Sequence, residues 1–309
     1  MRATLIVHTN SMTYVRRLVE FLHDALSVQF GDAEVEVVND IAEAKAEAPL
    51  VLVIGEGFGR FTRRPGTRYV YINLSVVAGL GNPLATSRQG WRQLRYKRRL
   101  LDAKLDLFDA MLDYYPPQTR LIARRLAKPV YGFLPAVVPH AAPPALMVDR
   151  PYDICFVGTM TPRRTAVLDA LRTRGLTLSP TSGVDLEEAA GNARLVLNVH
   201  MNRSNHLEIP RVVGALSAGS AVLSERSHGL DEVLGGSGVI EVPLRAVVSR
   251  AAALVADEGG LQQRAASSSR WYRDVYLPRA RSLLAQSLTS ICEGHGPAAQ
   301  DGALAHAGR

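Results

Sequence analysis

Short apolar runs alternate with amphipathic helical patterns along most of the chain. In the first half, the pattern predicts a helix at 13–27 and strands at 3–8, 34–38, 50–54, 69–74, 107–112 and 130–134. In the second half, it predicts helices at 162–174, 210–218 and 244–256 and strands at 153–157, 195–199, 221–224 and 239–242. Strands joined through helices pair in parallel, and the helices cover both faces of the sheet. The alternation therefore predicts an α/β fold.

A proline-rich segment interrupts this alternation and predicts a boundary between two domains. Five prolines fall between residues 135 and 151, where helix signals are scarce. Such a change of composition is typical of a linker between separately packed domains. We expect an N-terminal Rossmann-like domain at 1–135, a linker at 136–151, a second Rossmann-like domain at 152–290 and a flexible tail at 291–309.

The composition is that of a globular protein of a reducing compartment. The 309 residues include two cysteines, which are too few for a disulfide framework, and neither has the neighbours of a zinc site. No apolar run approaches the length of a membrane span, and the short N-terminal run is predicted to be a strand rather than a signal peptide. We therefore expect a cytoplasmic protein, and the lack of a metal-ligand cluster such as Asp-x-Asp is consistent with a protein that needs no metal cofactor.

The formal net charge of +7 favours anionic partners, and much of this charge lies in one stretch. Residues 86–100 contain six basic residues and no acidic residue, and they include Arg92, Arg95, Arg98 and Arg99. A tryptophan and a tyrosine lie among them, as in nucleic-acid-binding segments and in helices that lie on membranes. Three interpretations stay open: a solvated surface, contact with nucleic acid, and contact with an acceptor or with the inner face of an anionic membrane.

One strand–turn–helix segment carries cations where they are unfavourable. The sequence YDICFVGTMTPRRTAVLDALRTRG (152–175) places Thr161 as a helix cap and Pro162 at the first helical position. Arg163 and Arg164 then fall in the first turn, at the positive end of the helix dipole, where each cation costs about 0.3–1 kcal/mol. A bound anion would offset this cost. The segment therefore predicts a phosphate site, with two solvated arginines as the alternative.

The same pattern recurs at residues 195–225, LVLNVHMNRSNHLEIPRVVGALSAGSAVLSE. Pro210 is predicted at the first position of a second helix, and Arg211 follows it. Because the carboxyl ends of parallel strands lie at one edge of a sheet, both helix starts are expected to converge on one highly charged anion, such as a pyrophosphate. Glu208 and Glu225 are interpreted as acceptors for ribose or sugar hydroxyls. The alternatives for Glu208 are an ion pair with Arg211 and an extra cap for the helix start.

The dipole argument also predicts how the helix start affects stability. Since Arg211 adds a cation to the positive end of its helix, Arg211→Ala is expected to leave the unliganded protein no less stable. The same substitution is expected to weaken the binding of a nucleoside diphosphate.

Together these motifs resemble the donor-binding half of GT-B glycosyltransferases, in particular the bacterial CgeB-like and family 1/4-like group. The resemblance lies in DICFVGTMTPRR, LVLNVH and LEIPRVVGALSAGSAVLSE. It implies two Rossmann-like domains that face each other across a cleft and a C-terminal helix that crosses back to the first domain. It also implies a nucleoside-diphosphate-sugar, UDP-linked in many members, bound to the second domain without a metal ion. The acceptor stays open between a glycan, a lipid-linked sugar, a protein and a small molecule.

Within this resemblance, the loop after the first strand of the second domain matches the turn that holds the diphosphate. The donor-binding candidates are Gly158, Thr159, Arg163, Arg164, Asn198, Glu208, Arg211 and Glu225. One position departs from the pattern. In many members, the residue five positions before the glycine that ends the motif helix is a glutamate, and this glutamate binds the ribose. This chain has Gly214 at that position. A non-catalytic relative of these enzymes therefore remains an alternative.

Transfer to a hydroxyl group can require a general base, and three residues are catalytic candidates. His8 ends the first strand, and Glu56 lies in the glycine-rich sequence GEGFGR. His200 follows a strand of the second domain, where contact with the donor sugar or phosphate is expected. GEGFGR lacks the spacing of a dinucleotide-binding loop and no acidic residue follows at the expected place, which disfavours a dehydrogenase. A nucleic-acid- or membrane-binding α/β protein remains the alternative outside the enzymes.

Overall fold

Two units make up the described part of the chain. The computed structural model describes residues 2–45, 47–55, 58–75, 92, 95–96, 98–99, 101–124, 126, 128–139, 149–181, 183–201 and 205–295. Of the described residues, the first unit contains those up to Ala136 and those from Arg279 onwards, and the second unit contains those of Val137–Pro278. Each unit has a parallel β-sheet of its own.

A six-stranded parallel sheet forms the centre of the first unit. Its strands are β1 (Arg2–His8), β2 (Asp32–Val38), β3 (Leu50–Ile54), β4 (Arg68–Asn73), β5 (Ala110–Asp113) and β6 (Val130–Gly132). They lie in the order β2-β1-β3-β4-β5-β6. Every residue of β3 is buried, as expected for an apolar strand covered on both faces, whereas the edge strand β2 is largely exposed.

Two helices of this unit follow strands directly. Helix α1 (Thr9–Phe30) comes after β1 and ends at Gly31, which has a left-handed φ of 79°. It begins four residues before the predicted start, because the His8 side chain accepts a hydrogen bond from the Asn10 N–H and caps the helix. Helix α2 (Pro116–Ala123) follows β5. Short 3₁₀ turns lie at Ile41–Glu43 and Leu105–Leu107.

A four-stranded parallel sheet in the order β10-β9-β8-β7 forms the centre of the second unit. Its strands are β7 (Tyr152–Cys155), β8 (Ala193–Asn198), β9 (Ala221–Glu225) and β10 (Ile240–Val242). Its helices are α3 (Pro162–Thr173), α4 (Leu186–Gly191), α5 (Ile209–Ser217), α6 (Leu230–Leu234), α7 (Leu244–Ala256) and α8 (Glu258–Trp271), and a π-helical turn follows at Tyr272–Tyr276. Phe156, Leu171 and Leu197 lie in its buried core.

The last helix, α9 (Leu277–Glu293), begins at the end of the π-helical turn and belongs to the first unit from Arg279 onwards. The Ser287 hydroxyl donates to the carbonyl of Gly132 at 2.9 Å, and Arg281 forms a 2.8 Å ion pair with Asp24. The predicted return of the C-terminal helix to the first domain is therefore confirmed. The helix continues to Glu293, and residues 296–309 lie outside the described part of the chain.

The observed elements differ from the predicted ones at a few places. The strand predicted at 107–112 begins only at Ala110, because its first residue still belongs to a 3₁₀ turn. Asp109 precedes the strand, and its carboxylate accepts from the Tyr69 N–H at 2.8 Å. Helices α2, α4 and α6 were not predicted, because their eight, six and five residues show too little periodicity. Residues 140–148 of the predicted linker lie outside the described residues.

Candidate functional site

Two helices of the second unit begin at the same edge of its sheet. Helix α3 follows β7 and α5 follows β8, and these two strands pair in parallel. Thr161 caps α3, since its hydroxyl accepts from the Arg164 N–H, and Pro162 is the first helical residue, as predicted. Pro210 is the second residue of α5, one position later than predicted. The carboxylate of Glu208 contacts arginines of both helices, so the two helix starts lie close together.

Arg164 has the most buried guanidinium group of this edge, with 2% of its side chain exposed. Its Nε donates to the carbonyl of Val199 at 2.9 Å, its Nη1 to the carbonyl of Thr159 at 2.8 Å, and its Nη2 to Glu208 Oε1 at 2.6 Å. Burial lowers the pKa of Arg164 to about 10. The side chain therefore still carries its charge at neutral pH.

Arg211, the third residue of α5, reaches back to the loop after β7. Its Nε donates to the carbonyl of Val157 at 2.9 Å and its Nη1 to Asn198 Oδ1 at 2.8 Å, and it forms an ion pair with Glu208. Gly158 makes room for this guanidinium, because a Cβ at that position would lie 2.7 Å from Arg211 Nη2. The φ of Gly158, 150°, also disfavours any other residue.

Arg163 pairs with the glutamate at the end of the next strand. Both of its terminal nitrogens donate to the carboxylate of Glu225, and Nη1 also lies 3.1 Å from the carbonyl of His200. The His200 N–H donates to Glu225 Oε2 at 3.2 Å. Glu225 thus fixes the orientation of Arg163 and of the backbone that follows β8.

The ring of His200 carries an unpaired nitrogen in a buried position. Its Nε2 lies 2.9 Å from the carbonyl of Arg226 and 3.3 Å from the hydroxyl of Ser227. A carbonyl oxygen only accepts, so the hydrogen of the neutral ring is assigned to Nε2 and the lone pair to Nδ1. Nδ1 is buried and has no hydrogen-bond partner in the part of the chain that the structure describes. It is an acceptor to which a ligand hydroxyl can donate.

Three guanidinium groups and two carboxylates therefore meet at this edge, with a net positive charge. The ion pair between Glu208 and Arg211, one of the alternatives left by the sequence, is present, and Glu208 also bridges to Arg164. The Glu208 side chain is 30% exposed, whereas that of Glu225 is 6% exposed. An incoming phosphate can therefore take the place of the Glu208 carboxylate on two guanidinium groups without removing a buried partner.

In the first unit, the His8 side chain acts as a helix cap. Its Nδ1 accepts from the Asn10 N–H at 3.1 Å, and its ring meets the Phe58 ring edge-on at 5.0 Å. The lone pair that a general base would use is thus engaged by the backbone. Glu56 lies outside the described residues.

The basic stretch presents its described arginines to solvent. The helical, exposed residues are Arg92, Arg95, Tyr96, Arg98 and Arg99. Arg92, Arg95 and Arg99 are spaced three and four residues apart, so they lie along one face of a helix. Arg98 lies 3.8 Å from Asp102.

A buried carboxylate that the sequence did not single out ends β5 of the first unit. Asp113 accepts from Asn73 at 2.6 Å, from Gln118 at 2.9 Å and from the Thr119 hydroxyl at 2.7 Å. Burial raises its pKa to about 6, against the lowering effect of these hydrogen bonds. The signal that could have found it is its place at the carboxyl end of a parallel strand, but the predicted strand stopped one residue earlier.

Neither a metal-binding cluster nor a membrane-spanning helix occurs within the described residues. They contain no group of three or more His, Cys, Asp or Glu side chains placed to hold a metal ion. Within the same ranges, none of the helices combines the length and apolar character needed to cross a bilayer.

Comparison with known proteins identifies the fold. No protein-family model matches the sequence, and no curated protein matches it either. Among solved structures, HepE from Anabaena in complex with UDP and glucose matches with a TM-score of 0.63 and 11% identity, over 94% of this chain and all of that chain. WaaG, a glycosyltransferase involved in lipopolysaccharide biosynthesis, matches with a TM-score of 0.57 and 12% identity over 94% of this chain.

TarM matches with a TM-score of 0.56 and 9% identity, and this chain spans about half of its length, 54%. At these identities the likeness concerns the fold alone. Two parallel sheets with helices, together with these neighbours, confirm the predicted α/β class with two Rossmann-like domains of the GT-B type.

Proposed function

We propose that the chain is a glycosyltransferase that moves a sugar from a nucleoside-diphosphate-sugar to an acceptor, and that the donor binds to the second unit without a divalent metal. The observation that carries this proposal is the meeting of Arg163, Arg164 and Arg211 at two adjacent helix starts. The fold supports it, since HepE, which shares the fold, was solved with UDP and with UDP-glucose. The motifs around these arginines favour the CgeB-like and family 1/4-like group.

The chemistry of the transfer explains why arginines are needed there. The bond between the anomeric carbon and the terminal phosphate oxygen breaks, the acceptor oxygen bonds to that carbon, and its proton passes to a base. The departing nucleoside diphosphate gains negative charge as this happens. Guanidinium groups and helix N–H groups that are already oriented stabilise this charge without rearrangement. The carbonyls of Val157 and Val199 hold Arg211 and Arg164 in that orientation before the ligand arrives.

Each of the two glutamates has its own part in this proposal. The partly exposed Glu208 releases Arg164 and Arg211 to the diphosphate and turns towards sugar hydroxyls. The buried Glu225 keeps Arg163 in place. His200 accepts a hydroxyl of the donor sugar at its free Nδ1. Gly158 and Thr159 line the diphosphate turn, and Asn198 holds Arg211 through a 2.8 Å hydrogen bond. Of the two bases predicted for the acceptor side, His8 has its Nδ1 engaged as the cap of α1, and Glu56 remains a prediction.

Nucleotide binding in the presence of a chelator tests the proposal directly. Isothermal titration with UDP, GDP, ADP and dTDP, each in EDTA, is expected to show binding of at least one nucleotide. Hydrolysis of the matching nucleotide-sugar is expected to continue in EDTA. If no nucleotide binds, or if turnover stops in EDTA and returns with manganese, the metal-independent reading of this site is wrong.

A second function, contact with an anionic surface, is favoured by the exposed arginines of the basic stretch. Arg92, Arg95 and Arg99 present three charges along one helical face, with Tyr96 exposed beside them. We propose that this face contacts the acceptor or the inner face of an anionic membrane, where a peripheral enzyme would reach a lipid-linked acceptor.

Vesicle binding separates this proposal from the alternatives. Replacing Arg92, Arg95, Arg98 and Arg99 with Gln is expected to abolish sedimentation with vesicles containing phosphatidylserine and to leave nucleotide binding unchanged. Unchanged sedimentation and acceptor turnover would identify a solvated surface. Binding to nucleic acid that weakens steeply with salt would instead support the nucleic-acid alternative.

A further inference from the structure

A cavity of about 180 Å³ lies on one face of the sheet of the first unit. Two connections cover it, and neither contains an α-helix in the described residues. Residues 39–49 lead from β2 to β3 with only the 3₁₀ turn Ile41–Glu43, and the described residues of 55–67 lead from β3 to β4 without a helix. Parallel strands are usually joined by a helix that covers the sheet, and these two connections leave part of the face open instead.

The floor and one wall of this cavity are apolar. Ile6 of β1 and Val51 of β3 line the floor, and they share a face of the sheet with Tyr69 of β4. The Phe61 ring packs against the Tyr69 ring, with 5.1 Å between the ring centroids, and both rings line the cavity. An apolar cavity of about 150 Å³ holds one benzene molecule, so this cavity has room for a single six-membered ring.

The polar groups of the lining are hydrogen-bond donors. Tyr69 is 5% exposed, and its hydroxyl accepts from the Arg64 N–H at 3.3 Å. Within the described residues this hydroxyl makes no other hydrogen bond, so its own hydrogen is left for a ligand. The exposed Arg64 side chain donates from Nη2 to the carbonyl of Ala44 at 3.3 Å, and a guanidinium with five N–H groups can donate to a ligand as well. No acidic side chain occurs among the described lining residues, so the lining suits a ligand with negatively charged acceptor oxygens.

We propose that this cavity is a binding site for a monocyclic aromatic carboxylate. The ring of the ligand lies on Ile6 and Val51, beside the wall that Phe61 and Tyr69 form. One carboxylate oxygen accepts from the Tyr69 hydroxyl, and the other accepts from the Arg64 guanidinium. The lining residues all belong to the first unit, whereas the arginine site belongs to the second, so this proposal does not depend on the proposed glycosyl transfer.

Isothermal titration of the full chain with three matched probes tests which features of the ligand are recognised. Benzoate has the ring and the carboxylate, benzamide has the ring without the charge, and acetate has the carboxylate without the ring. Benzoate is expected to bind with a Kd of about 1 mM or below, as a well-placed ligand of its size can. Benzamide and acetate are expected to bind about tenfold or more weakly, because each lacks one of the two sets of contacts. No binding of benzoate, or equal binding of benzoate and benzamide, overturns the proposal.

Three variants test whether benzoate binds in this cavity. Ala44→Leu fills the cavity from its partly exposed rim, and Tyr69→Phe removes the hydroxyl but keeps the ring, so each is expected to weaken benzoate binding about tenfold. Tyr71→Phe is the control, because Tyr71 lies on the same strand and the same face two residues further on, and it is expected to leave binding unchanged.

Thermal unfolding checks that each variant is folded, and the pair Tyr69→Phe and Tyr71→Phe decides the question if Ala44→Leu is not. Unchanged affinity in a folded Ala44→Leu places benzoate elsewhere on the chain and overturns the proposal. Unchanged affinity in Tyr69→Phe, or an equal loss in Tyr71→Phe, overturns the contact between the carboxylate and the Tyr69 hydroxyl.

Discussion

Substitution of Arg211 gives the sharpest test of the site, because the structure changes the outcome expected from the sequence. From the helix dipole alone, Arg211→Ala is expected to leave stability unchanged or slightly raised. In the structure, however, Arg211 donates to the carbonyl of Val157 and to Asn198 Oδ1 in a buried environment. The substitution would leave both acceptors without this donor.

The expected magnitude follows from these contacts. A buried acceptor that loses its donor costs about 1–3 kcal/mol, so two such groups cost about 2–6 kcal/mol. Removal of a cation from the helix start raises the free energy of unfolding by about 0.3–1 kcal/mol. Glu208 keeps Arg164 as a partner, so its charge is not left uncompensated. We therefore expect Arg211→Ala to lower the free energy of unfolding of the second unit by about 1–6 kcal/mol.

The same substitution is expected to weaken nucleotide binding. The loss of a charge-assisted hydrogen bond to the diphosphate costs about 1.5–3 kcal/mol, which is a 10- to 150-fold rise in Kd. Arg211→Lys keeps the charge but not the planar set of donors, so it is expected to recover only part of the affinity.

Urea denaturation with and without nucleotide measures both effects. Trp271 lies in the second unit, and in a Trp91→Phe background its fluorescence is the only tryptophan signal, because the chain has two tryptophans. Arg172→Ala serves as the control, since Arg172 is an exposed arginine of α3 that pairs only weakly with Asp169. If Arg211→Ala loses stability but binds nucleotide normally, Arg211 is purely structural and the phosphate interpretation is wrong. If Arg211→Ala leaves the free energy of unfolding unchanged, the hydrogen bonds from Arg211 to Val157 and Asn198 do not stabilise the second unit by the amount assigned to them.

Three further predictions concern other residues. Burial raises the pKa of Asp113 to about 6, above its value of 3.8 in an unfolded chain, so the folded state binds this proton more tightly. Its contribution to the free energy of unfolding is fully present below pH 4 and lost as the pH rises through 6, by up to about 3 kcal/mol. Asp113→Asn is expected to flatten this part of a pH series of urea unfolding curves, and an unchanged pH profile would contradict the assignment. Gly158→Ala is expected to weaken nucleotide binding at least tenfold by displacing Arg211, whereas Gly175→Ala, at a helix end with open space around it, is expected to change stability alone. His200→Ala is expected to weaken binding of the nucleotide-sugar while leaving that of the free nucleoside diphosphate unchanged, and equal weakening of both in parallel titrations would place His200 away from the sugar.

The sequence by itself determined the local architecture of the arginine site. Thr161 and Pro162 act within one turn of the chain, and the left-handed glycine after α5, Gly219, needs only its own backbone freedom. Such signals involve neighbours along the chain, so they can be read without the fold. The strand–helix alternation then placed both helix starts at one edge, because parallel strands leave no other arrangement.

Only the tertiary structure decided which charges are paired at that edge. Glu208 bridges two arginines that are 47 positions apart, and Glu225 holds Arg163 across 62 positions. Side chains so far apart along the chain meet only after the sheet has formed, and their separation carries no pattern that a sequence can show. The cavity of the first unit is of the same kind, because it depends on how two connections without a helix cover the sheet. Helix caps and the parallel direction of the strands thus determined where the arginines lie, whereas long-range packing determined which residues they contact.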